Sequence, residues 1–378
     1  MSEYQYYEFQ AIDRPLTKKE MDELRAYSTR ARITSTSFVN DYSWGSFKGD
    51  EDRWMEKYFD AFLYLANWGT HILKLRLPST LLDPDTAREY CGSESAFLRE
   101  KDGKVILSFV SDDEEGEWIE DEEHLSALVR VRAELANGDL RALYLGWLLG
   151  AQIGELDDND TEPPVPTGLG QLSASLNNLA EFLRIDPDLL HVAAQASASM
   201  VDTKPKPSEI RQWIAQLPAS EKDVVLAGLM IDGDRSVITQ LLQRYRKEKC
   251  GDTARASLTR RTVGELLRDA QVYAEERRRI EAEKQSREME RRKHEAARAR
   301  EKHLDAIAGR EPQLWTKIET LIATKQPKSY DLAIKILVDR RDLNARNKGN
   351  SFQTRIDEFR QIHSRKPSLI ERLRKAGL

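Results

Sequence analysis

EERRRIEAEKQSREMERRKHEAARAREK, residues 275–302, is the stretch that decides how this 378-residue chain is organised. Between Tyr273 and Leu304 the only large apolar side chains are Ile280 and Met289, and there is neither Gly nor Pro. Glu, Arg, Lys and Ala are good helix formers, but a helix built from them has no face to bury. Glu275 and Arg279, Glu283 and Arg287, and Glu288 and Arg292 stand four apart with the acid first, the favourable order. Each pair contributes only about 0.2–0.5 kcal/mol, so many must act together where no core exists. The pattern predicts a solvated helix over residues 259–307, roughly 70 Å long at about 1.5 Å per residue. Gly309 and Pro312 end it. No apolar a/d repeat survives three heptads, which favours a single or loosely paired helix over a coiled coil and leaves oligomerisation along it open.

On the N-terminal side of this helix, strand and helix signals alternate over residues 1–152. They read as an α+β domain of four or five strands with helices on one face. Strand-like runs occupy 4–12, 32–42 and 71–77, and a hairpin joins 96–99 to 105–110 across Asp102-Gly103. Thr17-Lys-Lys-Glu20 is a capping box. Met55, Tyr58, Phe59, Phe62, Leu63 and Leu65 lie near helical spacing and predict a helix over 52–68, with further helices over 124–136 and 139–151. Residues 153–168, rich in Asp and Pro, read as a linker. Strand signals then stop, and 169–257 reads as an all-α domain with helices near 170–183, 187–199, 207–216 and 221–245.

Residues 258–308 form the long helix, whose first turns carry Val263, Leu266, Leu267, Ala270 and Tyr273 for docking. Over 311–378 four apolar stripes follow: Trp315 to Ile322, Tyr330 to Val338 (with Leu332), Phe352 to Ile362, and Leu369 to Leu373. Four short amphipathic helices make a small C-terminal bundle. The expected fold class is therefore an α+β domain, an all-α region, a long exposed charged helix and a small helical bundle.

The net charge of −5 hides an asymmetry: residues 254–378 carry +12 and the residues before them −17. One end attracts polyanions that the other repels. Cys91 and Cys250 are too few for a disulfide framework or a Cys-rich zinc site. A basic segment followed by an apolar stretch is missing at the start, and no apolar run reaches membrane-spanning length. These features suggest a cytoplasmic protein with no membrane partner.

Chemistry-bearing motifs are missing too: there is no P-loop, no Gly-x-Gly-x-x-Gly after a strand, no His-Glu-x-x-His and no Gly-x-Ser-x-Gly. His71, His124, His191, His294, His303 and His363 are scattered. No cofactor or metal is expected. Residues 112–123 hold nine carboxylates in twelve positions. They lack the calcium-loop pattern and read as a solvated acidic turn with Trp118 and Ile119 docked. Asp41-Tyr-Ser-Trp-Gly45, between a strand and a helix, offers Tyr42 and Trp44 as protein-contact residues, since Tyr and Trp dominate binding hot spots. In the tail, Arg340, Arg341, Arg346, Lys348, Arg355, Arg360, His363, Arg365 and Lys366 are dense enough to meet phosphates. Arg360, Arg365 and Lys366, which have no apolar role, are the candidates for contact with nucleic acid or an acidic partner.

Thr262-Val-Gly-Glu-Leu-Leu267, the Glu/Arg/Ala helix, Lys302-His-Leu-Asp305, Leu314-Trp315, Tyr330-Asp331, Lys366-Pro-Ser-Leu369 and the final Ala376-Gly-Leu378 form a pattern. It resembles the C-terminal portion of bacterial proteins that carry a SWIM-type zinc finger, and the likeness covers about the last third of the chain. The finger needs Cys-x-Cys and then Cys-x-His, which Cys91 and Cys250 cannot supply, so no zinc ligand carries over. The resemblance implies an accessory or partner protein sharing a tail module. The N-terminal part looks like a bacterial domain of unknown function.

Three functions follow as expectations. The favoured one is a non-enzymatic, scaffold-like interaction protein with an unidentified protein partner. The others are a nucleic-acid-binding protein using its basic tail, and an enzyme with a site among acids such as Asp41, Asp50, Glu51 and Asp52.

Overall fold

The computed structural model describes residues 3–45, 47–112, 124–198, 207–227, 230, 237–238, 241–242, 244–245, 248, 260–347 and 351–378. The acidic run at 113–123, most of the helix expected beyond residue 227, Cys250 and Lys348 lie outside the described residues. The chain divides into two compact units, Met1–Arg277 and Arg278–Leu378.

The first unit is built on a seven-stranded antiparallel sheet: β1 (Gln5–Gln10), β2 (Arg32–Ile33), β3 (Ser37–Tyr42), β4 (Ala61–Ala66), β5 (His71–Pro78), β6 (Ala96–Lys101) and β7 (Lys104–Ser111). Their order across the sheet is β2-β3-β1-β4-β5-β7-β6. The β6–β7 hairpin turns on Asp102 and Gly103 at φ 52° and 69°, the paired left-handed geometry that Asp-Gly accepts cheaply.

Three features differ from the sequence reading, each for a physical reason. The strand run over 32–42 is interrupted at Thr34, whose hydroxyl meets that of Ser37 at 2.7 Å, and so splits into β2 and β3. The helix expected over 52–68 is a short α2 (Glu51–Lys57) followed by β4. Ala61-Phe-Leu-Tyr-Leu-Ala66 is apolar or aromatic throughout, because a central strand packed on both faces loses the alternation that marks a strand. Third, helices cover both faces of the sheet. Under α1 (Lys18–Arg25) and α2 lies an aromatic layer of Tyr7, Phe9, Phe38, Trp54, Phe59 and Phe62, with the Phe9 and Phe62 rings 4.4 Å apart. The Thr17 capping box of α1 is formed in full.

On the opposite face Leu63, Leu65, Leu73, Leu75, Leu107 and Phe109 make an aliphatic layer. After α3 (Pro84–Arg88), the helices α4 (His124–Leu128), α5 (Arg130–Ala136), α6 (Arg141–Gln152), α7 (Ala174–Phe182) and α8 (Pro187–Gln195) contribute to that same core. The first helices after residue 169 thus share a core with the sheet. α6 is buried almost all round, and Gly146 is what lets it in: a Cβ there would meet the Phe109 ring at 2.6 Å. Farther on, α9 (Pro207–Gln216) and α10 (Ala219–Ala227) lie near a small cluster of Trp213, Leu217 and Tyr245.

The charged helix is α11 (Val263–Ile307), 45 residues long. Val263, Leu266 and Ala270 enter the first unit's core, while every residue from 275 to 299 is exposed. Its start is anchored by the stretch read as a linker. Thr161 bridges Thr262, and the Val263 amide donates to the Asp160 carbonyl at 2.9 Å. The buried Glu162 carboxylate accepts from the Arg261 guanidinium at 2.8 and 2.9 Å and from the Tyr144 hydroxyl at 2.5 Å. Thr262 and Glu265 form a capping box.

In the second unit α12 (Glu311–Ala323), α13 (Pro327–Arg346), α14 (Ser351–Ile362) and α15 (Pro367–Lys375) enclose Trp315, Ile318, Ile322, Tyr330, Leu337, Phe352, Ile356, Phe359, Leu369 and Leu373. Two stripe residues are corrected: Leu332 and Ile362 are 51% and 74% exposed, each on the outer face of its helix.

Candidate interaction surfaces

The pairing of side chains fixes the helix directions in the bundle. Arg340 reaches Glu311 at 3.0 Å, so the end of α13 meets the start of α12. Phe352 and Phe359 both pack on Trp315, and His363 lies near Glu319, so α14 runs alongside α12 in the same sense. Arg372 pairs with Asp331 at 2.7 Å and Arg341 donates to the Ala376 carbonyl at 3.1 Å, so α15 follows α13. The last turns of α11 meet the end of α13: Arg300 binds Asp339 and Asp342, and Asp305 pairs with Arg346 at 2.6 Å.

The opposite end of the bundle therefore gathers the α12–α13 turn, the α14–α15 turn and the N-termini of α13 and α15. Arg365 is exposed there and Lys366 half-buried, as the N-cap residue of α15. Lys325 and Lys328, which sequence reasoning missed, come from the other turn, and both are exposed. None of these four side chains makes a hydrogen bond or ion pair with a described residue. Neither α13 nor α15 has a side-chain cap, although each begins with Pro. Burial lowers the His363 pKa, and the neighbouring Lys366 charge lowers it further.

The remaining tail cations divide differently. Arg360 stands in the last turn of α14, exposed and 3.9 Å from Asp357. Arg340 is buried, Arg341 and Arg346 are paired, and the Arg355 guanidinium lies 4.6 Å over the Trp315 ring. Arg340, Arg341, Arg346 and Arg355 are engaged within the unit, and the two turns bring cations from separate elements together at one end.

In the first unit Tyr42 and Trp44 part company. Tyr42 is half-buried, edge-on to Tyr7 at 5.6 Å, and packs the aromatic layer. Trp44 is 74% exposed, with the Arg30 guanidinium 5.9 Å over its ring. The register aligns Tyr42, Gln5 and Ala66, so the loops bearing Trp44 and the 40% exposed Trp68 leave the same end of the sheet.

Two of the four acids considered for catalysis have structural partners. Asp50 caps α2, accepting from the Arg53 amide at 3.0 Å. Asp52 pairs with Lys74 at 2.6 Å and Arg99 at 2.9 Å. Burial would raise its pKa, but Lys74 and Arg99 hold it below the usual carboxylate range. Cys91 is buried, which pushes its thiol up to about 12 and leaves little of the reactive thiolate. Ser93 lines a small polar cleft with Tyr90, Trp147 and Asp160, but its hydroxyl is engaged by the Ala96 amide. Among the described residues no group of His, Cys, Asp and Glu is placed to hold a metal, and no helix is long and apolar enough to cross a membrane. No family model, curated protein or solved structure matches this chain.

Proposed function

We propose that the protein is a non-enzymatic interaction protein, a scaffold-like adaptor in which a sheet-based unit and a helical bundle each carry a recognition surface. One observation carries this reading: a single helix is built into the core of the first unit at its start, ion-paired into the second unit at its end, and buries nothing from 275 to 299. A helix that gives up packing over that length serves to connect, not to stabilise. Trp44, 74% exposed beneath the Arg30 guanidinium, is of a type found at interface hot spots, and the cationic turns of the other unit offer charge complementarity to an acidic partner.

Affinity capture with the full chain from a lysate of its source cells, with and without nuclease, tests the reading. Wild type should retain a discrete protein after nuclease treatment, and Trp44→Ala or reversal of the bundle-end charges should reduce its recovery. Retention of nucleic acid alone, abolished by nuclease, would favour the nucleic-acid reading. Retention of nothing under mild salt would remove the adaptor reading.

A further inference from the structure

Building on the interaction reading above, we propose that the basic end of the C-terminal bundle docks the acidic stretch 112–123 of a second copy of this chain. Lys325, Lys328, Arg365 and Lys366 converge there from two separate turns and make no ion pair with a described residue; Lys317, Lys335 and Arg374 make none either, but they lie on three different helices, so it is the convergence that sets this end apart.

Two of them, Lys328 and Lys366, are placed against the bundle's own stability. Lys328 lies in the first turn of α13 and Lys366 at the N-cap of α15. A cation at a helix N-terminus is disfavoured by the dipole, and these positions suit Ser, Thr, Asp or Asn. Six helices that begin in the first unit do have such caps, at Thr17, Asp50, Asp83, Ser173, Asp186 and Thr262, while α12 in the bundle, with Arg310 at its N-cap, also lacks one. Lys325 adopts φ 55°, where glycine is cheaper. Lys325, Arg365 and Lys366 also follow the C-termini of α12 and α14, where cations are favoured, so the mismatch that marks this surface is that of Lys328 and Lys366 with the two N-termini.

The partner's chemistry follows from charge and from what this end lacks. Residues 112–123 hold nine carboxylates in twelve positions, within the net −17 part of a chain whose remainder is net +12. Carboxylates would pair with the four cations and favour the two uncapped helix N-termini at once. Trp315, Tyr330, Phe352 and Phe359 are all buried, so this unit offers no exposed Trp, Tyr or Phe ring on which a base could stack. An acidic polypeptide is therefore favoured over single-stranded nucleic acid.

The test is sedimentation of the full-length chain at about 50 mM and about 500 mM salt, a range over which exposed charge pairs become screened. Wild type should sediment as two or more chains at low salt and as a monomer at high salt. The variant K325E/K328E/R365E/K366E, and separately D113N/E114Q/E115Q/E117Q, should each lose association by about tenfold or more. Circular dichroism checks that each is folded, and the second variant leaves the bundle untouched should the first unfold. The decisive arm mixes the first variant with one carrying Lys at 113, 114, 115 and 117. Association should return in the mixture, because the reversed surfaces are again complementary.

A concentration-independent monomer at low salt overturns the proposal, as does association indifferent to both sets of changes. Salt-dependent compaction without a change of mass assigns the contact to a single chain and likewise overturns it. If wild type does not self-associate but retains duplex DNA until the four cations are reversed, the surface belongs to nucleic acid. Loss of self-association while the captured protein partner persists defeats this inference alone and leaves the adaptor reading standing.

Discussion

Asp60 shows how much of the first unit hangs on single side chains. It sits between α2 and β4, fully buried, and its carboxylate accepts the Ile12 and Asp13 amides at 2.7 and 2.9 Å and pairs with Arg76 at 2.6 Å. Arg76 in turn donates to the Met55 and Glu56 carbonyls, both at 2.7 Å, closing the end of α2. Burial alone would raise the Asp60 pKa, but the Arg76 charge and the two amides hold it below the usual carboxylate range. The unfolded chain therefore takes up this proton first. The group's contribution is present above about pH 4 and is lost as pH falls through the lower folded value. Melting temperature followed against pH should drop on that acid side, and less steeply in Asp60→Asn. At neutral pH the same substitution should cost about 3–5 kcal/mol, because it strands a buried guanidinium. An acid limb and a melting temperature like wild type's would show Arg76 to be satisfied without Asp60. In the bundle the comparable residue is Trp315, 4% exposed, and Trp315→Ala should cost about 3–5 kcal/mol in chemical denaturation. Trp315 was legible from its stripe. The Asp60–Arg76 pair was not, since the two come together only once β4 and β5 are known to be neighbours.

At the scale of elements, what could be read from sequence depended on how many faces an element buries. α11 is unambiguous because almost nothing in it can be buried, and its Glu283–Arg287 and Glu288–Arg292 pairs form as their spacing implies. A peptide covering residues 261–310 should show substantial helix by circular dichroism at low salt and lose part of it as salt screens those pairs. A coil spectrum at low salt would mean that the flanking cores impose the helix. The bundle helices were legible because each buries one stripe. β4 was not, because an apolar run buried on both faces carries no period, and the neighbouring Tyr58 and Phe59 extended the helical spacing into it. The helices beyond residue 169 were legible as helices, but nothing in their sequence says that Leu176, Leu179 and Val192 pack into the sheet's own core. The basic surface was half legible. Arg365 and Lys366 stand out in a charged tail, while Lys325 and Lys328 join them only through the up-and-down order of the four helices.

For the molecule as a whole, the separation of cores makes a prediction that individual residues cannot. The two cores of the sheet unit and the core of the bundle have no residue in common, and between them runs a helical stretch with every residue exposed. Cooperativity spreads through shared packing, so calorimetry of the full chain should resolve two transitions. Asp60→Asn should lower the one belonging to the sheet unit and Trp315→Ala the one belonging to the bundle, each leaving the other in place. Removing residues 279–292 should shift neither. The deletion takes out two heptads, close to four full turns at about 100° per residue, so the remaining helix keeps its phase and loses no buried side chain. A single transition that all three changes displace together would show that the units fold as one body, and that the exposed helix stabilises as well as connects.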